Sequence, residues 1–121
     1  VAAVVHMMAK EGKPILGICN GAQILVEMGL VPGFHSGKVE MALARNRREA
    51  HGEILGTGFY HSFSYLKPNA CCAWTQFDDI LHLPIAHGEG QFCMNDETYD
   101  ALCENEQDTL LYCDKEGSID T

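Results

Sequence analysis

Residues 13–25 read K-P-I-L-G-I-C-N-G-A-Q-I-L, and this stretch decides the fold. Its apolar run, residues 15–18, predicts a buried strand of the parallel type. From Asn20 the apolar side chains recur about every 3.6 positions, which predicts a helix. A buried strand that runs directly into a helix is typical of α/β layer structures, so we expect that fold class.

Helical periodicity is found on both sides of this stretch. Residues 1–8 carry apolar side chains at helical spacing, and this first helix is expected to end near Gly12, which suits a left-handed C-terminal position. The second helix is expected to end at Gly29 for the same reason. Its inward stripe is predicted to consist of Ile24, Leu25 and Met28.

The middle of the chain favours strands. Alternating side chains predict a strand at residues 39–43, and aromatic-rich segments predict strands at residues 59–66 and 70–77. A further strand is expected at residues 80–86. Residues 45–58 are rich in charge and glycine, which predicts a long loop.

The C-terminal part is predicted to add a helix and a strand. Residues 96–106 form the expected helix, with Tyr99, Leu102 and Cys103 facing inward, and residues 109–113 form the expected strand. The chain begins at a helical pattern that no N-cap residue precedes. We therefore expect residues 1–121 to be an internal part of one domain, incomplete at both ends.

The composition excludes several classes of protein. With 46% apolar and 21% charged residues, the 121-residue chain is not of the disordered class. Its net charge of −9 argues against a nucleic-acid partner. No apolar run approaches the ~20 residues needed to cross a bilayer, and residues 1–8 have neither the basic n-region nor the cleavage site of a signal peptide. We expect a cytoplasmic protein without a membrane partner.

Six cysteines raise the possibility of a metal site or a disulfide scaffold. Cys71 and Cys72 are adjacent, whereas Cys93, Cys103 and Cys113 fall ten residues apart. Neither spacing resembles the paired cysteines that wrap zinc. We expect no metal site, and we expect most of these cysteines to be small core residues.

The segment G-I-C-N-G, residues 17–21, has the spacing of a nucleophile elbow with cysteine in the serine position. Such a sharp turn requires glycine at Gly17 and Gly21. Cys19 would lie at a helix N-terminus, where the helix dipole stabilises a thiolate, and we expect it to be the most reactive of the six thiols. The N–H of Asn20 would point at the developing oxyanion. A buried cysteine before an ordinary strand-to-helix turn fits the same spacing.

Residues 13–25 closely resemble the nucleophile region of class I, or triad-type, glutamine amidotransferases. Residues 83–92, L-P-I-A-H-G-E-G-Q-F, are similar to a stretch typical of the glutaminase subunit of phosphoribosylformylglycinamidine synthase. The resemblance continues, in the family's order, through residues 29–33, 41–46 and 60–67. It implies a flavodoxin-like class I glutamine amidotransferase fold.

The resemblance implies a cysteine-dependent glutaminase of purine biosynthesis. Cys19 would attack the side-chain amide of glutamine, and Gln23 would help to hold the amino-acid end of that substrate. The ammonia released would pass to a larger ATP-dependent synthetase subunit or domain, which converts formylglycinamide ribonucleotide to formylglycinamidine ribonucleotide. The resemblance places ATP and Mg²⁺ in that partner, so no cofactor is expected in this chain.

The sequence departs from the family at the catalytic triad. In the family, the His and Glu of a P-H-P-E motif complete the triad, but no histidine follows His87 in this chain. We therefore expect residues 1–121 alone to be inactive. By chemistry alone, His87 and Glu89 imitate the missing pair. The family places this H-G-E-G segment at a separate strand end, which favours a structural role or one at the edge of the pocket.

Two other functions remain open. A hydrolase or chaperone-like relative would share the cysteine elbow, but it would need neither Gln23 nor residues 83–92. A pseudo-glutaminase would use the same fold as a non-catalytic interaction module. The coding sequence beyond Thr121 separates this module from the enzyme, since a P-H-P-E motif there restores the triad.

Overall fold

The computed structural model describes residues 1–35 and 37–119, which contain three helices and seven strands. The helices are α1 (Ala2–Lys10), α2 (Asn20–Glu27) and α3 (Asp96–Glu104). The strands are β1 (Ala42–Ala44), β2 (Arg47–Ala50), β3 (Glu53–Thr57), β4 (Tyr60–Pro68), β5 (Leu81–His87), β6 (Gln91–Cys93) and β7 (Leu110–Cys113). This mixture of helices and sheets confirms the predicted α/β class.

The three helices begin and end where local chemistry dictates. Gly12 and Gly29 follow α1 and α2 with φ of +72° and +69°, the left-handed conformation that glycine adopts without strain. The side chain of Asn95 caps α3 by accepting a hydrogen bond of 2.8 Å from the Thr98 N–H. Within the described ranges, no helix is both long enough and apolar enough to span a bilayer.

The predicted strand at residues 15–18 is not formed. A strand requires a hydrogen-bonded neighbour, and none of the strands in the described ranges pairs with this segment. The Ile18 residue is therefore 74% exposed rather than buried. Every strand pairing observed is antiparallel, so the apolar run was correctly placed before α2 but wrongly assigned to a parallel sheet.

The largest sheet has three strands in the order β5-β4-β7. β4 pairs with β5 from Tyr60 opposite His87 to Leu66 opposite Leu81, and its second half also pairs with β7. The strands predicted at residues 59–66, 80–86 and 109–113 are thus confirmed. β1 overlaps only the end of the strand predicted at residues 39–43, and it pairs with β6, which the sequence reasoning did not anticipate.

The loop predicted at residues 45–58 is wrong, because this segment folds into the β2–β3 hairpin. Ala50 pairs with Glu53, which leaves a two-residue turn of His51 and Gly52. Their φ values of +53° and +81° are those of a type I′ turn, whose twist matches that of the flanking strands. Glycine at the second turn position was the signal that the sequence reasoning missed.

The strand predicted at residues 70–77 is also wrong. The buried Thr75 hydroxyl donates to the Ala70 carbonyl oxygen over 2.8 Å and accepts from the Cys72 N–H over 3.0 Å. These local bonds occupy backbone groups that a strand would offer to a neighbour. The aromatic content of the segment indicated a strand, whereas its side-chain hydroxyl fixed a loop.

The buried core is small and differs from the predicted one. Val26 on α2 is only 2% exposed, and Met41 and Cys113 are also buried. Tyr99, predicted to face inward, is 59% exposed, and α3 instead buries Thr98.

Further predicted core positions are also exposed. Ile24 lies on the exposed side of α2, and Cys103 is exposed on α3. The expectation that most cysteines are core residues is wrong, since Cys19, Cys71, Cys93 and Cys103 are exposed.

We expect Gly52→Ala to destabilise the protein by about 1 kcal/mol or more, because alanine is strained at this positive φ. Gly56→Ala on β3 is the matched control, since Gly56 has no positive φ and a Cβ there would meet no heavy atom within 4 Å. Urea unfolding of both variants measures the difference. Equal stability of the two variants would contradict the type I′ turn.

Candidate active site

The backbone at Cys19 has the conformation of a nucleophile elbow. Cys19 is the N-cap of α2, with φ of +56° and ψ of −121°. A non-glycine residue in this region is strained by about 1–3 kcal/mol, and such strain clusters at active sites. The turn is closed by the Gly21 N–H, which donates to the Ile18 carbonyl oxygen over 2.9 Å. The strained turn leaves Cys19 exposed.

The two elbow glycines are not equivalent. A Cβ on Gly17 would lie 2.6 Å from the Leu25 side chain and 2.7 Å from the Gly21 carbonyl oxygen, so only glycine fits there. Around Gly21, a Cβ would meet no described heavy atom within 4 Å. The predicted requirement for glycine is therefore seen at Gly17. Gly21 itself has room for a Cβ, but its carbonyl oxygen is one of the atoms that a Cβ on Gly17 would meet.

Asn20 is the first residue of α2. Its backbone N–H is among those that a helix leaves without an internal partner. An N–H in this position, directly after the nucleophile, is a suitable donor to an oxyanion. The oxyanion role of Asn20 stays a prediction that this geometry permits.

Gln23 lies one turn into α2 and contacts the H-G-E-G segment. Its Nε2 donates to the Glu89 carboxylate over 3.4 Å, although 66 residues separate the two. Both line a cavity of about 360 Å³. The remaining lining residues are Arg45, Gly58, Phe59 and Gly88. The structure thus brings two predicted site residues together, and it adds Arg45 and Phe59, which the sequence reasoning did not assign to the site.

Opposite charges face this cavity. Glu89 offers a carboxylate and Arg45 offers a guanidinium, and both residues are exposed. The amino-acid end of a free amino acid carries an ammonium and a carboxylate, so the two side chains have the complementary charges. The arrangement can therefore bind a zwitterion near the base of α2.

His87 is held by Asn46 rather than by Cys19. Asn46 Nδ2 lies 2.9 Å from His87 Nδ1 and donates to the His87 carbonyl oxygen over 2.7 Å. Within residues 1–35 and 37–119, Cys19 Sγ forms no hydrogen bond with a histidine. His87 also lines a second cavity of about 610 Å³ between the β2–β3 hairpin and the β5-β4-β7 sheet. His87 does not line the cavity that contains Gln23 and Glu89, so its pocket-edge role stays a prediction.

The second cavity contains the basic residues that follow Asn46. Arg47 and Arg48 both line it, and the Arg48 guanidinium lies 5.9 Å from the centre of the Tyr60 ring. Arg47 forms an exposed ion pair of 3.6 Å with Glu49. Such exposed pairs contribute little to stability. Arg47 and Arg48 are both exposed, so both guanidiniums are available to solvent.

The described residues show no cluster suited to a metal. Across residues 1–35 and 37–119, no three His, Cys, Asp or Glu side chains are grouped so that they could hold an ion. The chemistry available at the elbow is that of a thiol, a helix N-terminus and a charged cavity.

A family model described as a CobB/CobQ-like glutamine amidotransferase domain matches residues 1–121. The chain belongs to this glutamine amidotransferase family. The match covers the whole sequence, including the Cys19 elbow and the H-G-E-G segment. The resemblance drawn from residues 13–25 and 83–92 is thereby confirmed.

Three relatives of this amidotransferase chain have the same name. It is 40% identical to the phosphoribosylformylglycinamidine synthase subunit PurQ of Methanothrix thermoacetophila, over 98% of this chain and 47% of the relative. The subunit of the same name from Methanococcus maripaludis is 39% identical over 89% of this chain and 38% of the relative. That of Halobacterium salinarum is 34% identical over 98% and 48%.

The chain therefore spans about half the length of the curated relatives it matches, or less. No solved structure matches this chain significantly. Membership of the amidotransferase family is established by sequence.

An activated thiol at Cys72 was not anticipated. The hydroxyl of Thr75 also lies 3.2 Å from Cys72 Sγ, so its single proton can turn from the Ala70 carbonyl oxygen to the thiolate, and the Trp74 N–H donates to the same sulfur over 3.4 Å. These two contacts, with the hydroxyl the larger cause, lower the pKa of Cys72 below its ordinary value. Cys72 is half-buried. Because its pKa is lowered, it is a second candidate for the most reactive thiol, beside the predicted Cys19.

We expect Thr75→Val to slow alkylation of Cys72 several-fold at pH 7, because loss of the hydroxyl raises the pKa of Cys72 and lowers its thiolate fraction. The pH at which Cys72 labelling becomes fast should move upward. Mass-spectrometric mapping after limited iodoacetamide treatment across pH measures this.

Thr75→Ser is the matched control, because it keeps the hydroxyl and should keep the labelling profile. Cys93, exposed on β6, is the internal reference in each sample. An unchanged profile in Thr75→Val would show that the hydroxyl does not activate Cys72.

Proposed function

We propose that this chain is part of a glutaminase that supplies ammonia for the conversion of formylglycinamide ribonucleotide to formylglycinamidine ribonucleotide in purine biosynthesis. The observation that carries the proposal is the strained Cys19 backbone at the start of α2, one turn before Gln23. Family membership and relatives named as synthase subunits at 34–40% identity support the same function.

In the proposed reaction, Cys19 Sγ attacks the side-chain amide carbon of glutamine. The carbonyl oxygen becomes an oxyanion, which the Asn20 N–H stabilises. The carbon–nitrogen bond then breaks, the nitrogen takes the proton that the Cys19 thiol gave up, and ammonia leaves a γ-glutamyl thioester on Cys19. Water hydrolyses the thioester to glutamate and restores the thiol.

The cavity beside α2 provides a place for the unreacting end of glutamine. Gln23, Glu89 and Arg45 line it together. In the proposed complex, Glu89 binds the substrate ammonium and Arg45 binds its carboxylate. The side-chain amide then extends toward Cys19.

The amination itself is assigned to a partner. The chain has no G-x-x-x-x-G-K-[ST] segment for binding nucleotide phosphates. We propose that ATP and Mg²⁺ act in a larger synthetase subunit or domain, which receives the ammonia, and that the complex works in the cytoplasm.

We expect Cys19→Ala in the full-length gene product, assembled with its synthetase partner, to abolish glutamine-dependent amidine formation. Synthesis from added ammonium salt should be largely intact, because the thiol is needed only to release ammonia. Parallel assays with glutamine and with ammonium salt measure the two activities. Cys93→Ala is the matched control, since Cys93 is an exposed cysteine outside the site.

Gln23→Ala provides the contrast in the same assays. It should chiefly raise the KM for glutamine, because Gln23 is proposed to contact the unreacting end of the substrate. If Cys19→Ala lost both activities equally while the complex stayed assembled, or lost neither, the glutaminase proposal would fail.

The 121-residue chain alone should release little or no glutamate from glutamine. Acid–base assistance is typically worth ~10²–10⁴ in rate, and no histidine among the described residues is hydrogen-bonded to Cys19. A coupled glutamate assay, with Cys19→Ala as the blank, measures this. Robust Cys19-dependent release would instead make His87 the candidate base.

A further inference from the structure

Asn46 makes an unusual number of hydrogen bonds to one turn. Its Nδ2 donates to the His87 carbonyl oxygen over 2.7 Å, and its Oδ1 accepts from the Gly90 N–H over 2.8 Å. Its backbone N–H donates to the Gly88 carbonyl oxygen over 2.9 Å. Residues 87–90, called here the 87–90 turn, are thus bonded at both ends and at one point between. Glu89 lies within this turn.

The side-chain amide of Asn46 has only one orientation that satisfies these bonds. A flipped amide would place its oxygen against the His87 carbonyl oxygen and its NH₂ against the Gly90 N–H. In the correct orientation, His87 Nδ1 lies 2.9 Å from Asn46 Nδ2 and 3.2 Å from Asn46 Oδ1, within hydrogen-bond distance of both amide atoms.

The 87–90 turn is also tightly packed. A Cβ on Gly90 would overlap the His87 ring, so the backbone passes directly beside the imidazole. Asn46 is partly buried, whereas Glu89 within the turn is exposed. The backbone of the turn is therefore fixed while the Glu89 carboxylate is exposed. This carboxylate accepts a hydrogen bond from Gln23 Nε2 over 3.4 Å.

We propose that Asn46 is a positioning residue for glutamine binding, which fixes the 87–90 turn so that Glu89 is held in the cavity beside Gln23. The proposal rests on the proposed glutaminase function. Asn46 does not line this cavity and acts through Glu89. Because a displacement of about 1 Å in a binding group can cost ~10²-fold, the clamp has a measurable consequence.

The test uses Asn46→Asp in the full-length gene product with its synthetase partner. Aspartate keeps the acceptor for the Gly90 N–H but places an oxygen against the His87 carbonyl oxygen. We expect the KM for glutamine to rise about tenfold or more, with a smaller change in kcat. Asn46→Ser repeats the test without adding a charge and should raise the KM in the same direction.

Coupling to Glu89 separates positioning from a general structural role. In a Glu89→Gln background, which already lacks the carboxylate, Asn46→Asp should raise the KM by less than twofold. Asn69→Ser is the matched control for Asn46→Ser. Asn69 also follows a strand, and its Nδ2 donates to the carbonyl oxygen of Asp108 at 3.1 Å and to its carboxylate at 2.8 Å, but it lies outside the cavity.

Several results with the Asn46 variants would contradict a positioning role. A KM unchanged by Asn46→Asp and Asn46→Ser, or a full effect that persists beside Glu89→Gln, would overturn the proposal. Loss of the cooperative thermal unfolding transition in both variants would do so too, because Asn46 would then hold the fold rather than the turn. If Cys19→Ala in the otherwise wild-type protein kept its glutamine-dependent activity, the proposed function itself would be refuted.

Discussion

The hydrogen bonds of Asn46 are the interaction that fixes where the 87–90 turn lies, and the position of Glu89 depends on it. Asn46 lies between β1 and β2, the 87–90 turn lies between β5 and β6, and Gly58, which donates to the Asn46 carbonyl oxygen over 3.3 Å, lies between β3 and β4. All three sheets therefore meet at one residue. This polar junction fixes the 87–90 turn relative to the strands around it.

The junction also explains how a distant segment reaches the elbow. Gly17 allows α2 to pack close to the chain that precedes it, and α2 projects Gln23 toward the sheets. The junction sends Glu89 back to meet it. Two local constraints, one steric and one hydrogen-bonded, thus define a cavity whose walls come from opposite halves of the chain.

The parts of the fold that the sequence predicted are those with local causes. The elbow, the ends of α1 and α2, and β4 follow from glycine placement and from side-chain periodicity. The strand at residues 15–18 could not be judged, because strand formation depends on a neighbour elsewhere in the chain. Asn46 was missed for a similar reason, since the side-chain partners of Asn46 lie 41 and 44 residues away.

Because Cys19 has a positive φ, the stability of the fold and the proposed chemistry of the thiol favour different residues at this position. Glycine would adopt that backbone without strain, so selection for thermal stability alone favours replacement of the thiol. On the proposed function, a directed-evolution campaign that screened only for folding would drift toward an inert protein. The cysteine persists in such a campaign only when the screen also rewards turnover.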